Sequence, residues 1–431
     1  MSALRRVELR GFPSDDTLLL CLLATMVGLN VAALVEWSAE GLLFDVAGKA
    51  MVVYAVAFAY WGLRLLWRSR GSVPLEETSF TEAAAVVAGL VDREEVVVRL
   101  GPRLGRRAFV AGGHGVVVLV MGPELLGLCT ASGEGRAVFE AVVRHELAHV
   151  RAGDLDWYRL GSVLRASVVP TALALLLLVW LGWLSPPVPL QGLLTGFLVQ
   201  AVITELVARA FLRAREHQAD LVAARDGAEG LLAAVGTAPA VRPWLRGHPG
   251  GDTRTAVLAD PGRLLATTPG LLLLGATTAG AALGPALLLV RTTGVAHGVG
   301  AAAVAGALIG APLTLYAAFG VWRSTWHTGS HPFRSAALLV TGVVLGSHTA
   351  PFPAAIPTTP PVLAAFALGS VALCLGAAAA GRARQRVDPT AGRMREFLRT
   401  AAPVTCVAGG AVFAALMSFA WLRHLADLMA G

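Results

Sequence analysis

The sequence predicts a mainly α, polytopic membrane protein of about nine spans, with a small α+β domain on the cytoplasmic side. Three observations predict it. Of 431 residues, 55% are hydrophobic and only 15% are charged, whereas soluble domains carry about a quarter charged residues. The apolar residues are gathered into runs that test as bilayer spans of roughly 20 residues. Two polar stretches, about 70–160 and about 211–268, are large enough to fold outside the bilayer.

The apolar runs fall near 17–37, 47–66, 162–183, 188–210, 270–290, 299–320, 335–350, 361–380 and 402–422. Trp37, Trp61, Trp67, Trp180, Trp183, Trp322 and Trp421 lie at or near their ends, as interfacial aromatic anchors do. Orientation follows from arginine, because cytoplasmic loops collect Arg and Lys and Lys49 is the only lysine. Arg5, Arg6 and Arg10 precede the first run, and Arg64, Arg68 and Arg70 close the second. Arg209, Arg213 and Arg215 follow the fourth, Arg323 and Arg334 separate the sixth and seventh, and Arg382 to Arg399 fill the loop after the eighth. Alternation from a cytoplasmic N-terminus puts all these clusters inside a bacterial-type inner membrane. The opposite loops (38–46, 184–187, 291–298, 351–360) carry almost no positive charge, Arg291 being the exception. The formal charge of +7 is therefore topological, which argues against nucleic acid as a partner. Leu34-Val35-Glu36-Trp37 is no small-residue cleavage site, so the first run is read as a retained span.

Within the first polar stretch, Glu76 to Leu90 follows a helical pattern, Val96 to Val98 and Val116 to Val120 are β-rich, and a long helix is expected near 135–152. The second starts as a helix continuous with the fourth run. The domain reading is a two-span hairpin (1–70), a cytoplasmic domain (71–268) interrupted by a two-span hairpin (162–210), and a five-span membrane domain (269–431). The last five runs have Gly280-xxx-Gly284 and Gly306-xxx-Gly310 spacings that permit close helix approach. They could receive a protein partner or a lipid-embedded substrate. Cys21, Cys129, Cys374 and Cys406 form no CxxC pair, so neither a disulfide framework nor a cysteine-held zinc is indicated. Cys129 is read as packing.

The residues that carry chemistry begin with His145-Glu146-Leu147-Ala148-His149. Residues four apart share a helix face, so both imidazoles can point at one ion, with Glu146 placed to take a proton from an attacking water. Two rings and a carboxylate among aliphatic residues are costly without partners, and a metal is such a partner. Catalytic zinc needs three protein ligands and an open position. A third candidate stands in Arg215-Glu216-His217-Gln218-Ala219-Asp220, where Glu216 and Asp220 are again four apart. Glu216 can ligate, and Asp220 can accept a hydrogen bond from a ligating imidazole. His217 is turned about 100° from Glu216 on a helix of 3.6 residues per turn and is expected to be solvated. Glu205, inside the fourth run, is expected to snorkel or to pair with Arg209.

Residues 145–154, HELAHVRAGD, followed by a two-span hairpin and then EHQAD at 216–220, resemble the integral-membrane zinc metalloproteases that include HtpX and the CAAX prenyl protease. That family's pattern is HExxH, an Asp five residues after the second His, and Glu-x-x-Ala-Asp on a later helix. Asp154, Glu216, Ala219 and Asp220 stand at the matching positions. The resemblance implies a zincin-like, gluzincin catalytic domain with one Zn2+ per chain, held by His145, His149 and Glu216. It implies Glu146 as general base, with Asp154 and Asp220 supporting the ligands. His248-Pro249-Gly250-Gly251-Asp252-Thr253-Arg254 is similar to the family's His-Pro-x-x-x-x-Arg and implies His248 or Arg254 at the oxyanion. Ala108-Phe109-Val110-Ala111-Gly112 is similar to the family's substrate strand, which implies that Phe109, Val110 and Ala111 border an extended peptide by β-addition. Arg107 stands where the family often has Asn.

His149 precedes the third run by about a dozen residues and Glu216 follows the fourth by a few. At roughly 1.5 Å of helical rise per residue, both fall within about 10–20 Å of the cytoplasmic membrane face. The expected activity is a membrane-embedded metalloendopeptidase acting on membrane-associated, misfolded or precursor polypeptides. The alternatives are a signalling protease that cuts a repressor or matures a secreted peptide, and a non-catalytic membrane scaffold with a zincin remnant.

Overall fold

The computed structural model describes residues 15–37, 72–91, 96–113, 116–131, 133–182, 190–227, 230–236, 248–265, 267–292, 298–327, 331–349, 360–385, 404–405, 407–422 and 426. The second apolar run (47–66), the arginines preceding the first run and those closing the second, and most of the loop after the eighth lie outside them. The chain divides into two compact units, one of residues 1–54, 164–207 and 265–431 and another of residues 55–163 and 208–264.

In the larger unit, α1 (Asp15–Trp37) leads the chain. Among the described residues, four helices are long and apolar enough to cross a membrane: Thr195–Arg225, Pro261–Arg291, Gly298–Thr325 and Pro360–Arg382. Thr17–Asn30 and Val407–Leu422 are shorter apolar helices.

The smaller unit holds the sheet. In chain order it comprises β1 (Val73–Pro74), a 3-10 turn, α2 (Thr81–Leu90), β2 (Val96–Leu100), β3 (Ala108–Gly113), β4 (Val116–Met121), α3 (Pro123–Gly127) and α4 (Gly133–Ala152). α5 (Asp154–Trp180) and α6 (Leu190–Arg225) contribute residues to both units. α7 (Leu231–Gly236) and α8 (Gly251–Ala259) complete the smaller one. The pattern expected from Glu76 divides into a turn at Leu75–Glu77 and a helix from Thr81.

The strand order is β1-β2-β4-β3. β2 and β4 run parallel, while β3 is antiparallel to β4 and forms an edge. The apolar run Val116 to Met121 suits a central strand. Leu119 and Met121 of β4 pack with Leu75, Ala83, Val87, Leu125, Leu126, Cys129, Phe139, Val143 and Leu147. Phe139, Val143 and Leu147 repeat every four residues, so one stripe of α4 faces this core and the neighbouring stripe is left for His145 and His149.

The remaining helices of the larger unit are α9 (Pro269–Thr292), α10 (Gly298–His327), α11 (Pro332–Thr349), α12 (Pro360–Gln385) and α13 (Val407–Leu422). Apolar helices in lipid gain little by burying more apolar surface, so close backbone approach is what holds them. A Cβ on Gly346 would stand 2.0 Å from the Thr277 carbonyl oxygen, and one on Gly310 would stand 2.1 Å from Phe413 Cβ. Two of the buried hydroxyls bond to helix carbonyls: Tyr316 donates to the Leu271 carbonyl at 2.7 Å, and Thr278 to the Leu274 carbonyl at 2.8 Å. Glu205 is gripped by both nitrogens of the Arg165 fork, at 2.6 and 2.8 Å. Arg165 is forty residues away in sequence, which is why a local reading named only Arg209. Arg291, the exception to the charge rule, lies with its guanidinium 4.2 Å from the Trp421 ring centroid.

Candidate metal centre

α4 carries His145 and His149 one turn apart, with ring centroids 4.9 Å apart and planes at 88°. Both are buried, and Glu146 between them is half-buried. α4 ends at Ala152. Gly153 takes the left-handed conformation (φ 71°) that glycine adopts at helix ends, and α5 starts at once with Asp154. This tight turn brings Asp154 back beneath the last turn of α4, where its Oδ2 lies 2.8 Å from His149 Nδ1. A carboxylate only accepts hydrogen bonds. Nδ1 is therefore the donor to Asp154, and Nε2 is the nitrogen left to face a metal.

α6 supplies the opposing side. Glu216 Oε2 is 3.5 Å from His145 Nε2, and Glu216 Oε1 is 3.6 Å from His149 Nε2. One ligand atom from each of His145, His149 and Glu216 lies within 4.8 Å of the others. A tetrahedral ion with bonds of about 2.05 Å sets its ligands about 3.3 Å apart, so the spacing suits such an ion. One turn beyond Glu216, Asp220 Oδ1 lies 2.9 Å from His145 Nδ1, in contact but at an angle too bent for a well-formed hydrogen bond.

The charges point the same way. Glu146, Asp154, Glu216 and Asp220 surround the two rings, and the last three are buried. Arg254 engages both Asp220 oxygens, with Nε–Oδ2 at 2.6 Å and an Nη2–Oδ1 contact. Arg215 Nη1 lies 3.1 Å from Asp154 Oδ1. Two guanidiniums against four carboxylates leave two negative charges over, the deficit a divalent cation fills. Without one, the site draws in a proton. Burial works against charging His145, but Asp220 and Glu216 outweigh it and hold its pKa at about 10.

His248 sits exposed with Nδ1 3.0 Å from Glu216 Oε2, and that hydrogen bond raises its pKa. His248 and Arg254 thus both reach the site, one on Glu216 and the other on Asp220.

Residues 78–261 match the model of peptidase family M48. The matched segment contains all the residues of the metal centre described above. No match was found among curated proteins or among solved structures. M48 is the family of HtpX and the CAAX prenyl protease, a family of metallopeptidases, and the match indicates that class of chemistry for this segment.

Phe109, Val110 and Ala111 of the matched segment lie in β3, which packs against α4. Gly122 N donates to the Arg107 carbonyl at 2.9 Å. With Ala108 opposite Met121, this makes Arg107–Gly122 a bonded pair, so Phe109, Ala111 and Gly113 also turn their backbone groups toward β4. Ala108, Val110 and Gly112 face the open edge, and Arg159 Nη2 donates to the Gly112 carbonyl at 2.9 Å. Of the three residues expected to border a peptide, only Val110 offers its backbone outward. Strand periodicity is visible in sequence, but the pairing phase is not.

His217 corrects the sequence reading. It is 7% exposed, not solvated. Its turn away from Glu216 leads into more protein, because Phe211, Glu216, Ala219, Asp220 and Ala223 are buried on several faces of the same helix. Arg215 and Tyr158, whose hydroxyl is 3.2 Å from His149 Nδ1, were missed. Arg215 reads in sequence as one more cytoplasmic arginine, and Tyr158 carries no local signal.

Proposed function

We propose that the chain is a membrane-embedded zinc metalloendopeptidase that hydrolyses peptide bonds of membrane-associated, misfolded or precursor polypeptides at the cytoplasmic face of an inner membrane. The observation that carries this reading is the convergence of His145, His149 and Glu216 within a segment that matches family M48 and whose surrounding charges leave room for a divalent cation. His145 Nε2, His149 Nε2 and the Glu216 carboxylate would hold the ion. Zinc held there supplies Lewis acidity for peptide hydrolysis. Glu146 takes the proton of the attacking water and passes it to the leaving amine. His248, exposed above Glu216, is the donor for the developing oxyanion. Arg254, with its fork on Asp220, steadies His145 rather than the substrate. Val110 and its outward neighbours on β3 pair with the extended peptide.

The chain crosses the bilayer about nine times, with its N-terminus inside. Four helices of sufficient length support this, and α1, α5, α11 and α13 cover four more of the apolar runs. Metal analysis of the purified protein tests the reading, with about one zinc per chain expected and Glu216→Ala abolishing it. Glu146→Gln should keep the metal and lose about 100-fold or more of the cleavage of an unstructured reporter. Undiminished cleavage by that variant would end the proposal.

A further inference from the structure

Behind each histidine of the metal centre stands a carboxylate, and behind each carboxylate a guanidinium. The chain Arg254–Asp220–His145 is built from motif residues already placed. The chain Arg215–Asp154–His149 ends on an arginine with no role so far. Arg215 Nη1 is 3.1 Å from Asp154 Oδ1 and 3.2 Å from Gln218 Oε1. Its guanidinium carbon lies 5.1 Å from the Phe211 ring centroid. Phe211, Arg215 and Gln218 are spaced four and three residues apart and so share one face of α6. Across from them, the first turns of α5 carry Asp154, Trp157 and Tyr158, and Phe211 packs on both aromatic rings at 6.4 and 6.2 Å.

Asp154 is 1% exposed, and a carboxylate at that depth is costly unless both oxygens find partners. They do: Oδ1 faces Arg215 and Oδ2 faces His149. The planar fork of Arg215 is itself oriented by the Phe211 ring and Gln218. Its direction is therefore set before any ion arrives.

We infer that Arg215 is a positioning residue of the metal centre and acts through Asp154. It holds that carboxylate turned so that Oδ2 meets His149 Nδ1 and Nε2 faces the metal. This rests on the metallopeptidase reading above. A clasp serving only stability would lower the unfolding midpoint without touching the metal.

The test uses the full-length protein in detergent, as wild type, Arg215→Lys, Arg215→Met, Asp154→Asn and the Met/Asn double variant. Zinc affinity is read by chelator competition, and ligand geometry by the visible spectrum of the cobalt-loaded protein. Arg215→Met should weaken zinc by about 10–100-fold, as loss of an outer partner of a ligating histidine does, and should alter the cobalt bands. Arg215→Lys should lie between wild type and Arg215→Met, since it keeps the charge without the fork. The double variant should bind no more weakly than Asp154→Asn alone. Wild-type affinity and spectrum in Arg215→Met, or losses that add in the double variant, would overturn the inference. If Arg215→Met does not fold, Arg215→Lys decides: weakened zinc with altered cobalt bands supports it, and wild-type behaviour overturns it. A wild-type protein that bound no divalent metal would instead overturn the metallopeptidase reading itself.

Discussion

His145 exposes the central conflict of the site. Its ring is enclosed by carboxylates that call for a positive charge, and either a proton or a metal ion can supply it. With its pKa raised to about 10 in the metal-free protein, against 6.5 unfolded, protonated His145 contributes stability fully below about pH 6.5. That contribution is lost as pH rises toward 10. Metal binding needs the neutral ring and should strengthen over the same range. We therefore expect chelator-treated protein to resist urea less at pH 9 than at pH 6, while the stabilisation added by zinc is larger at pH 9. Equal urea midpoints for the metal-free protein at the two pH values would contradict this account of His145. A companion substitution probes Asp220, which touches both Arg254 and His145. Asp220→Ala leaves the half-buried Arg254 without its counter-charge and should destabilise the domain by about 1–3 kcal/mol in thermal or urea unfolding.

Among the elements, β3 separates folding from substrate pairing within two residues. Val110 turns its N–H to the open edge and Ala111 turns its N–H to β4. Proline is tolerated where the missing N–H would face outward, and is costly where it breaks a ladder bond. Val110→Pro should leave the melting temperature nearly unchanged and raise KM for an unstructured peptide. Ala111→Pro should lose about 3 kcal/mol of stability. If both variants cleave peptides normally, β3 is not the pairing strand. The membrane helices offer an internal check on the proposed topology. Arg291 at the end of α9 meets Trp421 at the end of α13, two ends the alternation assigns to the outer face. Thr267 N, just before α9, donates to Ser324 Oγ near the end of α10 at 2.8 Å, and both positions are assigned inside.

For the whole molecule, metal and fold should be linked by mass action. Zinc at about 100 times its dissociation constant should add about 2.7 kcal/mol to unfolding, measurable as a chelator-reversible shift in melting temperature. Glu216→Ala should abolish that shift. Legibility also differed with scale. The histidine pair was readable because its spacing is a local property of one helix. Glu216 was readable because a second i, i+4 acidic pair stood where a hairpin return would bring it. Arg165, Tyr158 and Arg215 were not, since a lone side chain in an apolar or basic stretch carries no periodicity to separate contact from background.

By itself the sequence determined the histidine and acidic motif elements, the β-rich stretches Val96–Val98 and Val116–Val120 that lie within β2 and β4, and the apolar runs that are helical among the described residues, all of which follow from local composition and spacing. Tertiary structure alone decided that Asp154 backs His149 while Asp220 backs His145, and that Arg215 and Arg254 stand behind those carboxylates. It also decided that Val110 rather than Phe109 or Ala111 faces the open edge, and that His217 is enclosed. The physical reason is range. Period is set by covalent geometry within a few residues, whereas pairing phase and charge partnership depend on which distant surfaces meet.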